Sequence, residues 1–433
     1  MKVLFLSHRV PFPPSSGSKV RAFHVIRHLS EQGHRVTVAS LARSRDELEQ
    51  SAGLAEFSAE RMVETVPAWH ASARMVAWLP SSRPSSFGYF YSAALARRVS
   101  DALGTGTYDL VFVHSSSMAP YATAAPGAAL RVLDFCDMDS QKWREYARHK
   151  PFPQSAGYWL EAAKLERAEA RLARQFDLST CATPAELESL KRLAPDAASD
   201  WFANGVDAEL FQPAEQPDPD LIVFVGRMDY YPNQQAVQDF CQAVLPRLQR
   251  RRPALRFAVV GADPPRSTRV LGRLPGVTVT GTVPDVRPYV TRAALTVAPL
   301  RIARGTQNKV LESMAMGVPV VCSPAVSKGV DAVPGEHLLC ASNAEEYVTL
   351  IERLLDSPSL RNTLAQAGRE RVLTHHSWDR SMSRLDELMA AALEQRIQRT
   401  VGIAAGSARS GKPEPQGGAE TGGASARSTP ASN

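Results

Sequence analysis

The sequence predicts an α/β protein of two doubly wound parallel sheets facing each other across a cleft. Three observations carry that prediction. Short apolar runs alternate with amphipathic helical stretches almost throughout the chain, as strand–helix–strand crossovers require. The alternation breaks at residues 212–220, where Pro213, Pro217 and Pro219 crowd together, and restarts at Leu221-Ile-Val-Phe-Val-Gly226. Such a proline-rich stretch reads as a linker. A chain of 433 residues is also longer than one ordinary core organises.

Taken in order, residues 2–7 form the first strand, residues 17–32 a helix closed by Gly33, and residues 35–40 a second strand. Further strands are expected at 110–114, 131–135 and 178–181. A charged helix over 158–174 carries Glu and Lys/Arg at helical spacing. The first domain thus spans 1–205 and the linker 206–220. The second domain, 221–378, has strands at 221–226, 257–261, 277–281, 295–299 and 318–322, then a helix near 344–356. A C-terminal helix over 379–401 is expected to pack back toward the first domain. Residues 402–433 hold Gly, Ser, Ala, Pro and charge with hardly an apolar side chain, a composition that predicts disorder.

Composition narrows the class. A hydrophobic content of 44% with 22% charged residues is that of a soluble globular protein, and the longest apolar runs are too short to span a bilayer. The N-terminus fits a buried first strand better than a signal peptide. Five cysteines, at 136, 181, 241, 322 and 340, are scattered with no CxxC pair. They suit reduced thiols in a cytoplasmic protein and give no zinc pattern. The first hundred residues hold 13 Lys/Arg against 7 Asp/Glu, which equals the chain's net charge of +6. That excess suits an anionic ligand, an anionic membrane surface or simply a solvated face. No nucleic-acid recognition module accompanies it.

The most informative segment runs from Pro299 to Val321: a strand end, a glycine loop, a short helix and a new apolar strand. A helix starting near Gly305 or Thr306 presents free N–H groups and a positive dipole end beyond the carboxyl edge of a parallel sheet. That geometry binds an anion, most naturally a phosphate. Lys309 adds a full charge, and Glu312 is spaced to accept hydrogen bonds from sugar hydroxyls.

Four pieces together carry a family resemblance: Gly17 in a Pro/Ser-rich loop, Asn204-Gly-Val-Asp207 ahead of Phe211-Gln-Pro213, Phe224-Val-Gly-Arg227, and Lys309 through Val321. Over about residues 1–400 the chain resembles the retaining nucleotide-sugar glycosyltransferases of family 4, which have the GT-B fold. More narrowly it looks like the PEP-CTERM/exosortase-associated sugar transferases, through residues 133–143, 228–233 and 299–312.

The resemblance implies that Arg227 meets the donor diphosphate, where a forked guanidinium suits phosphate. The lysine that usually partners it is missing, with Pro232-Asn233 in its place, and Lys309 is the replacement candidate. Glu312 matches the ribose-binding acid of an E-x7-E motif. The first acid of that motif falls at Arg304, a departure that points Arg304 at the diphosphate instead. Gly305 and Thr306 offer backbone N–H groups to the β-phosphate, and Thr282 and Val283 contact the base.

In the first domain Gly17 lets backbone approach the transferring phosphate, and His114 meets the donor sugar. Asp137, with Asp139 and Lys142 nearby, either orients an acceptor hydroxyl or caps the following helix. The resemblance implies no cofactor and no metal. Its partners are a nucleotide sugar and a glycan or polyprenyl-linked glycan acceptor, in exopolysaccharide assembly. Trp69, Trp78, Phe87, Tyr89, Phe90 and Tyr91 lie among arginines, as in an interfacial helix on the anionic inner membrane or in ordinary packing. Two other functions remain open: a GT-B nucleotide-sugar epimerase and a non-catalytic nucleotide-sugar-binding module.

Overall fold

Seven strands build the first sheet: β1 (Lys2–Ser7), β2 (Arg35–Ala42), β3 (Glu60–Thr65), β4 (Leu110–His114), β5 (Leu130–Cys136), β6 (Leu178–Cys181) and β7 (Ser199–Trp201). The computed structural model describes residues 1–14, 17–106, 108–123, 129–214 and 217–409. The sheet order is β3-β2-β1-β4-β5-β6-β7, and every pairing is parallel. Val3, Leu4, Phe5 and Leu6 of β1 are all fully buried, because crossover helices cover both faces of a parallel sheet. Phe5 and Phe112 stack across β1 and β4 with centroids 5.1 Å apart.

The second sheet comprises β8 (Asp218–Val225), β9 (Arg256–Val260), β10 (Val277–Gly281), β11 (Ala293–Ala298), β12 (Val320–Cys322) and β13 (Leu339–Cys340). Its order is β10-β9-β8-β11-β12-β13. Both sheets reverse winding direction at one place, between β1 and β4 and between β8 and β11. In doubly wound sheets the ligand crevice opens there, beyond the strands' carboxyl ends.

The chain returns to the first domain at its end. Val206 pairs with Ser377, and the Val206 amide donates to the His376 carbonyl at 2.7 Å. From there the helix Trp378–Arg409 lays Trp378, Met382, Leu385, Leu388, Met389 and Ala392 against Val3, Phe5 and Phe112. Their spacing is that of one helical face. This helix runs eight residues past the expected end at 401; residues 410–433 lie outside the described residues.

The aromatic segment divides. Phe87 is buried, and Trp78, Tyr89, Phe90 and Tyr91 pack against the first domain's core. Trp69 is 68% exposed. Most of these aromatics are therefore packing residues, and the interfacial expectation survives only for Trp69 and its neighbours. Among the described residues no helix is long and apolar enough to cross a membrane.

Candidate active site

The first-domain wall of the cleft is built on one buried carboxylate. Asp134, near the end of β5 and fully buried, accepts from Arg21 Nε and NH2 at 2.8 and 2.9 Å and from Thr180 Oγ1 at 2.9 Å. Burial alone would raise its pKa, but the Arg21 guanidinium holds it well below the usual carboxylate range. His114 Nδ1 lies 2.9 Å from the same carboxylate. An ionised carboxylate only accepts, so Nδ1 carries a proton and donates to it. Nε2 is buried with no partner among the described residues.

The His8 ring, just past β1, stacks on His114 at 5.8 Å and meets Phe90 edge-on at 5.1 Å. Burial, then the neighbouring His114, drives its pKa far down, so it is neutral. Sequence reasoning missed His8; its place directly after the first strand was the available signal.

The second-domain wall begins where β8 ends. Lys309 Nζ donates to Asn233 Oδ1 at 2.7 Å, and Asn233 Nδ2 donates to the Arg227 carbonyl at 2.8 Å. Gly226 makes room for this arrangement, since a methyl group there would strike the Asn233 amide and come within 3.2 Å of Lys309 Nζ. Arg227 itself is ion-paired to Asp229 at 2.8 Å and Asp263 at 2.7 Å, so a diphosphate would have to displace those carboxylates.

The helix spans Asn308–Ala315 and starts later than expected at Gly305 or Thr306. Gly305 sits in the left-handed region at φ +63°, which a right-handed helix cannot continue through. Gln307 occupies the N-cap without a side-chain cap bond; its amide turns back to the Arg304 carbonyl at 2.9 Å. Lys309 and Glu312, three residues apart on this helix, are both half-buried. Burial lowers the Lys309 pKa to about 7 and raises that of Glu312 to about 7, each tempered by the other's charge.

The two walls touch. Asn204 Nδ2 donates to Asn308 Oδ1 at 3.1 Å, while Asn204 Oδ1 accepts from Arg21 NH1 at 2.9 Å. A methyl group on Gly17 would lie 3.6 Å from the Asn308 amide. Arg304 does not point at the anion site: its NH1 donates to Glu186 Oε1 at 3.2 Å, across the cleft. Asp137 packs its carboxylate directly on Gly305, where any side chain would overlap it. Asp137 Oδ1 is buried with no partner among the described residues, and burial, followed by the negative charge of Glu186, raises its pKa to about 7.

Glu186 was not foreseen, because its partner lies 118 residues away. Thr282 and Val283 follow β10, two strands from β8. Thr282 is exposed, and Val283 packs on an apolar patch with Val223 and Val260.

Family models match each half of the chain. The model described as Glycosyltransferase Family 4 covers residues 15–210, and the one described as Glycosyl transferases group 1 covers residues 219–357. The chain is a glycosyltransferase of the family 4 and group 1 type. This glycosyltransferase has the GT-B fold, as its similarity to solved structures shows. HepE from Anabaena, in complex with UDP and glucose, is 15% identical with a TM-score of 0.66, over 90% of this chain and 99% of that one. Sucrose-phosphate synthase from Thermosynechococcus elongatus is 15% identical with a TM-score of 0.64, over 93% and 100%. A glycosyltransferase from Rickettsia africae is 12% identical with a TM-score of 0.63, over 90% and 98%.

Proposed function

We propose that this glycosyltransferase moves a sugar from a nucleoside-diphosphate sugar to a hydroxyl of a glycan or lipid-linked glycan, in exopolysaccharide assembly. One observation carries the reading. Lys309 and Glu312 share one turn of a helix whose N-terminus faces the cleft opposite Gly17 and Asp137. The solved HepE complex with UDP and glucose has the same fold. A pyrophosphate set against this helix start meets Lys309, and Arg227 once it releases Asp229 and Asp263. Glu312 then accepts from the ribose diol. The leaving diphosphate gains its charge stabilisation from fixed cations and helix N–H groups, without a metal ion or cofactor.

In the first domain the buried, unpartnered Nε2 of His114 hydrogen-bonds a hydroxyl of the donor sugar. Asp137, poised near neutrality beside Gly305, takes the proton of the attacking acceptor hydroxyl. Arg304 acts through Glu186, holding the two domains together around the donor. Attack on the face the diphosphate leaves would retain the anomeric configuration, and closure of the cleft limits hydrolysis.

The test is a thermal-shift screen against UDP, GDP, TDP and ADP and their sugars in chelator-treated buffer. Binding to the native state raises the melting temperature by mass action. One nucleotide should give a clear rise that Lys309→Met abolishes. No response to any of them would remove the donor site from the Lys309 helix. NMR of the product's anomeric proton checks retention.

A further inference from the structure

Two segments of the first domain join into one exposed surface. The helix Ala68–Ala77 buries only Ala71 completely and leaves Trp69 and Val76, two turns apart, in solvent. Leu79 follows, also exposed. The second segment is residues 151–160, where Phe152 is 82% and Leu160 51% exposed and Trp159 projects beside them. Glu161 ties the two together: its buried carboxylate accepts from the Ser85 and Ser86 amides at 2.9 and 2.8 Å. One turn further on, Lys164 Nζ donates to the Leu79 carbonyl at 2.7 Å. Contiguous apolar exposure of this kind marks an interaction surface.

Its charge identifies the occupant. No Asp or Glu occurs from residue 65 to 100, nor from 146 to 160, whereas Arg74, Arg83, Arg148 and Lys150 do. The Arg144 guanidinium lies over the Trp159 ring at 4.9 Å. Arg144 pairs with Glu166 and Arg148 with Glu145 at the margin of the surface. That leaves Arg74, Arg83 and Lys150 as the cations beside the projecting aromatics, an arrangement that suits the headgroup region of an anionic bilayer. A second protein surface gives no reason for acids to be missing from two separate segments.

The surface also borders the cleft. Tyr146 is hydrogen-bonded with Tyr230 of the second domain, and Lys150 Nζ sits 3.4 Å from the Tyr231 ring centroid.

We propose that this surface docks on an anionic lipid bilayer, setting Trp69, Phe152, Trp159 and Leu160 among the headgroups with the acceptor side of the cleft at the membrane. The inference rests on the reading of a lipid-linked acceptor. It replaces the aromatic stretch from Trp69 to Tyr91 with a defined patch, half of which lies outside that stretch.

The experiment is sedimentation of the full chain with phosphatidylcholine vesicles, with and without phosphatidylglycerol. The protein should pellet with the anionic vesicles alone, with a blue shift of tryptophan emission. Trp69→Ser/Phe152→Ser should weaken this binding about tenfold, and Arg74→Gln/Arg83→Gln should remove the preference for anionic lipid. The nucleotide-induced rise in melting temperature should persist in both variants, which certifies their fold and keeps this test separate from that of the donor site. Equal pelleting with neutral vesicles, or wild-type binding by both variants, would overturn the proposal. So would a dimer in solution that Trp69→Ser/Phe152→Ser dissolves, which would make the patch a contact between copies.

Discussion

Arg304 of the second domain donates to the Glu186 carboxylate of the first at 3.2 Å, and the pair bridges the cleft beside Gly305. The Glu186 side chain is 2% exposed and that of Arg304 is 27% exposed. Removing the cation leaves Glu186 with the Met138 amide, 2.8 Å away, as its remaining partner outside its own helix. Arg304→Ala should therefore cost roughly 1–3 kcal/mol, the penalty for a buried group left underpaired. It should also let the domains separate. Denaturant unfolding checks the first effect and small-angle X-ray scattering the second. Unchanged values in both would make the contact incidental.

Asp137 makes stability depend on pH. Its folded pKa is raised to about 7, first by burial, from an unfolded value of about 3.9. Below about pH 4 the carboxyl is protonated in both states. As pH rises through 7 the folded state must ionise it in a poorly solvated place, and the stabilisation from the bound proton is lost. Asp137→Asn should therefore unfold later than the wild type at pH 8 and together with it at pH 4. Melting curves at the two pH values decide this. A gain of equal size at both would assign the effect to something other than ionisation.

Gly305 is under two constraints that separate experimentally. Its φ of +63° costs a side-chain-bearing residue roughly 1–2 kcal/mol, and an added methyl group overlaps the Asp137 carboxylate. Gly305→Ala should be destabilising by more than the backbone term alone. In an Asp137→Gly background the same change should cost only the backbone term. A double-mutant cycle reads the difference, and strict additivity would dissolve the contact between Gly305 and Asp137.

What the sequence made legible follows burial. The strands β1, β4 and β11 and residues 222–224 of β8 are runs of mostly apolar residues with both faces covered, and such runs declare themselves locally. By contrast β3, β7 and β13 carry polar or very short sequences at or beside sheet edges, where tertiary pairing rather than composition makes the strand. In the site, Lys309 and Glu312 were visible because one helix turn holds both. Glu186, the Arg21–Asp134 pair and the stacked His8 were not, since their partners lie 118, 113 and 106 residues away. Trp69 and Trp78 look alike in the sequence; the packing of the Trp78 ring on Gly88 and Tyr91 tells them apart.

Lys309 links donor binding to protons. Burial depresses its pKa to about 7 with Glu312 as its counter-charge, so much of the free protein carries a neutral amine at pH 8. A pyrophosphate arriving beside it favours the charged form and pulls a proton from solution. Nucleotide affinity should accordingly fall as pH rises above 7. Calorimetry in buffers of different ionisation enthalpy should show proton uptake on binding. Lys309→Met removes the cation while keeping an apolar stem against the Phe224 ring, whose centroid lies 4.7 Å from Nζ. It should cost roughly 1–3 kcal/mol of stability, because Asn233 Oδ1 loses its donor, and weaken nucleotide binding by about 10- to 100-fold, the worth of a charged hydrogen bond. Proton uptake should vanish with it. Glu312→Gln should weaken binding less, because amide oxygen still accepts from one ribose hydroxyl, and should keep the uptake. Wild-type affinity in both variants would place the diphosphate elsewhere in the cleft.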